Sequence, residues 1–256
     1  MNCRNSLVHF SFAWLCIGLT AMSAKPLIAQ TAGDTLEVQC DGVLGKTRTG
    51  MTLIVKSATI SSGHYFIAEN LRDIPVTGSI HDGYIALSGT DKSEFDLRFK
   101  SNGSEHGQLL DFQNSVGLIG TRRINGKVEN VDLSYLTMGQ LSQGRRYAYT
   151  TDLSDAQFES IVRNWRSAVL AGHREEAAKY THFPLRVNAH LRHRTIHTSA
   201  EFFNQWDRIF TPAYLARIKK DLPHDMLGES SSLLVGLGQG DVYFGDKGIE
   251  VLNLPD

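Results

Sequence analysis

The chain has 256 residues, and its 26 Lys and Arg against 27 Asp and Glu leave a formal net charge of −1. That balance excludes the basic footprint of a nucleic-acid binder and the polybasic patch of a membrane-surface protein. The length allows one large or two ordinary domains.

Arg4 opens a cationic start, residues 7–22 form an apolar run, and small residues gather from Ala21 to Ala29. This is the pattern of a secretory signal peptide over residues 1–30, with cleavage near Ala24 or Gln30. A membrane anchor would need about 20 strongly apolar residues, and this run is shorter and interrupted by Ser, Thr and Gly. Trp14-Leu15 before Cys16 argues against acylation there. The expectation is a periplasmic or secreted protein with no membrane anchor once the leader is removed. Cys3 and Cys16 would leave with it, so Cys40 alone would remain and no internal disulfide could form. With no local His or helix start to activate it, Cys40 reads as a small buried strand residue.

Residues 34–136 have no long helical period, and Gly, Asn and Asp punctuate them about every eight to twelve residues, as in an antiparallel β domain. The strands are predicted over 51–56, 64–68, 74–80, 84–88, 94–100, 108–112 and 116–123. Two turns are specific: His81-Asp82-Gly83 before Tyr84, and Asn125-Gly126 between Ile124 and Lys127. Both suit hairpins that require positive φ. The glycines Gly117, Gly120 and Gly126 do not form a dinucleotide-binding fingerprint. Gly63-His64-Tyr65, Val76-Thr77-Gly78, Ala86-Leu87-Ser88-Gly89 and Gly117-Leu118-Ile119-Gly120 give this region a resemblance to small exported β-barrel-like modules of bacterial envelope proteins.

Residues 137–152, poor in aliphatics and carrying Gly139, Gly144 and the Arg145-Arg146 pair, read as a linker in which that pair is solvated. In residues 153–256 a capping box, Ser154 with Gln157, starts a helix whose Phe158, Ile161, Val162, Trp165 and Val169 share a face until Gly172 ends it. A short helix over 174–180 follows. Pro184 then imposes extended geometry, and a strand runs over 185–188. Thr198 with Glu201 caps a helix carrying Phe202, Phe203, Trp206, Ile209 and Phe210, and Thr211-Pro212 restarts a second one that runs until Pro223. Apolar runs at 233–237, 241–244 and 249–254, separated by glycines, close a sheet. The fold class is therefore α+β: an antiparallel β-meander or barrel, then an α+β cone of three or four helices on a curved antiparallel sheet.

The order of these elements, with Phe183-Pro184-Leu185-Arg186-Val187-Asn188, Ala200-Glu201-Phe202, Ile209-Phe210-Thr211-Pro212 and Gly238-Gln239-Gly240-Asp241-Val242-Tyr243-Phe244, resembles exported bacterial members of the nuclear transport factor 2-like superfamily. The resemblance covers about one hundred residues and implies a fold with a pocket; the superfamily hosts isomerases, dehydratases, immunity proteins and binding modules. The Asp-His pair of its enzymes is not recognisable at matching positions.

No nucleophile elbow, phosphate loop, zinc signature or paired-cysteine motif occurs. His173, His182, His190, His193 and His197 crowd together, but Arg192 and Arg194 interleave and would repel a cation, so the stretch reads as an exposed polar hairpin and no metal or cofactor is expected. Tyr180, Arg186, Asn188, Trp206 and Asp207 are candidates to line a pocket, since a strand Arg beside an aromatic helix can hold a ligand carboxylate or an acidic partner side chain. The simpler alternative is a structural pair of Arg186 with Asp207. His224, Asp225 and Glu229 fall in a polar loop, a place for an acid-base role that the spacing does not support. Three functions fit: an exported non-catalytic binding protein of the cell envelope recognising a protein or small ligand through its C-terminal domain, an immunity or inhibitor protein against a secreted toxin, and a small-molecule hydrolase or isomerase. The chemistry on view favours binding, because a guanidinium and an indole suffice for recognition whereas no nucleophile is paired with a base.

Overall fold

The computed structural model describes residues 35–103, 107–140, 145–190, 192–224, 226–229, 233–238 and 240–255. The leader read over residues 1–30 with its two cysteines, residues 141–144 of the linker stretch, Asp225 and Gln239 lie outside these residues. No helix among the described residues is long and apolar enough to cross a membrane.

Eight antiparallel strands, β1 (Thr35–Leu44), β2 (Thr47–Lys56), β3 (Thr59–Ile67), β4 (Ile74–His81), β5 (Tyr84–Gly89), β6 (Glu94–Phe99), β7 (Gly117–Ile124) and β8 (Lys127–Gln140), pair in chain order and close into a barrel. Alternation drives it: in β5 and β6, Ile85, Leu87, Phe95, Leu97 and Phe99 point inward and their neighbours outward. The two expected turns are present as type I′ hairpins, with φ of 50° and 80° at Asp82 and Gly83, and 48° and 77° at Asn125 and Gly126. Closure joins β1 to β8 from Leu36↔Gln140 to Leu44↔Val131, so β8 runs through Thr137–Gln140, into the stretch read as linker. Cys40 is buried in β1, and burial, reinforced by Asp41, pushes its thiol up to about 12.

One expected strand does not form. Residues 108–112 are irregular because the Asp111 carboxylate accepts from the Gln113 and Asn114 amides, at 2.8 and 3.1 Å, in place of a ladder partner. Phe112 still enters the barrel, edge-on to Phe99 at 4.9 Å.

The C-terminal part holds α1 (Asp155–Ala171), α2 (Arg174–Lys179), β9 (Thr181–Ala189), β10 (Arg192–Ile196), α3 (Ser199–Ile209), α4 (Pro212–Lys220), β11 (Leu227–Glu229), β12 (Leu234–Leu237), β13 (Val242–Gly245) and β14 (Gly248–Leu254). The caps are where the sequence places them. Ser154 and Gln157 complete a capping box, Thr198 accepts from the Glu201 amide at 3.2 Å, and Thr211 accepts from the Tyr214 amide at 3.3 Å with Pro212 opening the helix. Gly172 ends α1 at φ 73°. The sheet order is β10-β9-β14-β13-β12-β11, and it is mixed rather than wholly antiparallel, because β14 returns parallel to β9 after the intervening helices and strands. Pro184 lies inside β9, beyond the last β10 pair and where the β14 register shifts, so its missing N–H interrupts neither ladder.

Each part has its own apolar core, one inside the barrel and one between the helices and the sheet. Both belong to the compact unit Ala32–Asp256.

Candidate functional site

Where the barrel meets the C-terminal part, five ionisable side chains from distant segments converge. Asp155, the first residue of α1, accepts from the Arg146 amide at 3.1 Å and the Tyr147 amide at 3.4 Å, which folds the preceding turn back onto the helix. Arg146 is thereby held against Glu159, one turn further along α1 on the face that also buries Phe158 and Val162. His224 follows α4, behind the buried Pro223. The barrel contributes His64 from β3 and Asp73 from the turn before β4.

His224 sits between two carboxylates. Its Nδ1 is 2.7 Å from Glu159 Oε2 and its Nε2 is 2.8 Å from Asp73 Oδ1, so both nitrogens donate and the ring is an imidazolium. Burial alone would lower its pKa, but the hydrogen bonds to Asp73 and Glu159 outweigh that and raise it to about 9. Burial likewise favours a protonated Asp73, yet the hydrogen bond from His224, with the charge and hydrogen bond of Arg146, holds the carboxyl well below its ordinary range. Arg146 spans the group: it pairs with Asp73 and donates to Glu159 Oε1 at 3.2 Å and to His64 Nε2 at 2.8 Å. Tyr147 donates to Glu159 Oε1 at 3.0 Å, and Arg163 reaches Glu159 Oε2 at 3.5 Å. The Phe66 ring stands perpendicular to the imidazole at 4.5 Å. Removing one member would strand a buried charge, which costs more than the intact pair gains.

This cluster walls a cleft of ≈ 660 Å³ whose other lining includes Glu37, Thr52, Ser62, Arg145 and Arg163. Arg145 donates to the Thr151 and Leu153 carbonyls at 3.2 and 2.9 Å, and the Arg146 side chain is only 13 % exposed. The Arg145-Arg146 pair is therefore not a solvated linker pair: one member bridges a turn and the other is sunk among carboxylates.

The five residues singled out from the sequence fall into two groups rather than one pocket. Arg186 and Asn188 lie on the face of β9 opposite the buried Leu185 and Val187, with Arg186 Nε donating to Asn188 Oδ1 at 2.8 Å and Asn188 Nδ2 to Asn253 Oδ1 at 2.7 Å. Trp206 is buried in the helix-side core, its ring 4.4 Å from Phe210 and 5.4 Å from Phe202. Arg174 lies over that ring and pairs with the exposed Asp207 at 2.8 Å, the partnership the sequence had suggested for Arg186. Tyr180 caps α2 and packs on the core, its carbonyl accepting from the Ile249 amide at 2.9 Å. None of the five lines the junction cleft. On β10, His193 is exposed beside Arg192 and Arg194, and no group of three metal-ligating side chains occurs among the described residues.

Sequence reasoning passed over His224, Glu159, Asp73 and His64. The available signal was Glu159 itself, a charged residue between the apolar positions Phe158 and Val162 of a core-facing helix.

Compared with protein-family models, with curated proteins and with solved structures, the chain matches none.

Proposed function

We propose that this chain is an exported, non-catalytic binding protein of the cell envelope that receives a small ligand or a protein segment in the cleft between barrel and C-terminal part, with the C-terminal part supplying most of the polar wall. In this reading residues 1–30 are a removed leader, and the four helices on their mixed sheet are a nuclear transport factor 2-like domain; Arg186, Asn188 and Asp207 are further surface contacts for a protein partner. One observation carries the preference for binding over turnover: both nitrogens of His224, the imidazole in the cleft wall, already donate to carboxylates. An imidazolium so engaged has no lone pair with which to take a proton from water or a nucleophile. Its hydrogen-bond acceptors among the described residues are the carboxylates of Asp73 and Glu159.

The test uses mature protein carrying either native Arg163 or Arg163→Ala, whose side chain is 44 % exposed at the rim of the cleft. Wild type should retain a component of envelope extract that the variant releases, and should turn over none of a panel of esters, amides and lactones. Turnover by wild type that disappears in Glu159→Gln would establish an enzyme instead.

A further inference from the structure

Beyond His224 from that cleft lies a second cavity of ≈ 480 Å³, lined by barrel residues and by the segment from the end of α4 to β13. Phe66, Leu136, Leu222 and Met226 give it an apolar wall. Most of its charges neutralise one another. Arg48 holds Asp41 at 2.9 Å and donates to the Lys220 carbonyl at 2.8 Å, while Arg217 holds Asp241 at 2.5 Å.

Asp221 is the exception. Its Oδ2 is buried with no hydrogen-bond partner among the described residues. The carboxyl occupies space left by Gly238, where a Cβ would fall 2.4 Å from the Asp221 carboxyl carbon. Burial, and then the neighbouring Asp241, push its pKa up to about 6 despite the charges of Arg48, Arg166 and Arg217. At neutral pH it is thus an ionised carboxylate with unused acceptor capacity, which native folds seldom carry without a use. Asp221 itself lines the cavity.

We propose that this cavity is a binding site for a small amphipathic amine, its ammonium received by Asp221 and its apolar body resting on Phe66, Leu222 and Met226. The choice of a cation follows from what is already spent: the guanidiniums of Arg48 and Arg217 have carboxylate partners, Arg166 donates to the Ile218 and Lys219 carbonyls at 2.9 and 2.6 Å, and the Lys220 side chain is exposed at the rim. The acid is what lacks a counterpart. An ammonium supplies charge and up to three donors, and a hydrocarbon tail replaces water on the apolar wall. The site lies on the other side of His224 from the cleft lined by His64 and Arg163.

Hexylammonium and hexan-1-ol, of equal length and differing in charge, are titrated calorimetrically into the mature protein. At about pH 7.5 the amine should bind at least about tenfold more tightly than the alcohol, about 1.4 kcal/mol. The advantage should vanish in Asp221→Asn, whose melting confirms the fold, and in wild type on acidification to about pH 5, where the Asp221 carboxyl takes up its proton. The acid arm decides the matter even if the variant does not fold. Equal affinities for the two probes, no binding of either, or an amine preference that survives both the substitution and the acid would overturn the proposal.

Discussion

At the scale of single residues the junction depends on the difference between a charge pair in water and one out of it. Arg174 and Asp207 form a 2.8 Å pair whose side chains are 42 % and 82 % exposed, and such pairs contribute about 0–1 kcal/mol. His224 and Glu159 are within 2.7 Å at 6 % and 4 % exposure, where loss of one partner leaves an uncompensated buried charge and costs about 3–5 kcal/mol. His224→Ala should therefore lower the unfolding free energy obtained from urea denaturation by an amount in that larger range, and Asp207→Ala by almost nothing. A double-mutant cycle with Glu159→Gln should give a coupling above about 1 kcal/mol; equal small losses for the two single variants would show that the cluster does not bear on stability. None of this was legible locally. His224 lies 65 residues from Glu159 and 151 from Asp73, so its polar-loop appearance in the sequence was all that spacing could reveal. Arg146, beside a glycine-containing stretch, looked solvated for the same reason.

Elements whose causes are local were legible, and those whose causes are not were misplaced. The caps at Ser154, Thr198 and Thr211 and the two Asx-Gly hairpins depend on residues within four positions of one another, and each forms as the sequence reads. The extent of β8 and the parallel return of β14 depend on partners far along the chain, so neither is visible in local composition or periodicity. Barrel glycines are a further case in which only the fold discloses the reason. A Cβ on Gly78 in β4 would fall 1.9 Å from the Ala86 carbonyl oxygen of β5, a backbone atom that cannot swing aside, whereas a Cβ on Gly139 in β8 would meet nothing within 4 Å. Gly78→Ala should cost about 2 kcal/mol or more by overpacking, and Gly139→Ala should stay within about 0.5 kcal/mol of wild type. Chemical denaturation of the two variants side by side checks this, and comparable stability would mean that β4 and β5 can separate without penalty.

For the molecule as a whole, the junction ties stability to pH in a direction that can be worked out group by group. His224 has a folded pKa of about 9 against an ordinary 6.5, so its stabilisation is complete below about 6.5 and is lost as pH rises through about 9. Asp73 is depressed, so its contribution is present above the ordinary aspartate range and is lost only in acid, outside the alkaline window. Asp221 is raised to about 6 from 3.8, so the fold favours its protonated form and its contribution is lost as pH rises through about 6, before His224 begins to titrate. Alkaline melting of wild type alone would mix the His224 effect with the titration of Lys and Tyr side chains throughout the chain. The difference between wild type and His224→Gln removes that background, since the substitution leaves those groups in place. The stability advantage of wild type should be flat below about pH 6, shrink steadily between about pH 6.5 and 9, where the unfolded chain has released the proton that the folded imidazolium keeps, and level off above that. A difference in melting temperature that stays constant across that range would mean that His224 is neutral in the fold, and would remove the imidazolium from both the junction and the argument for binding.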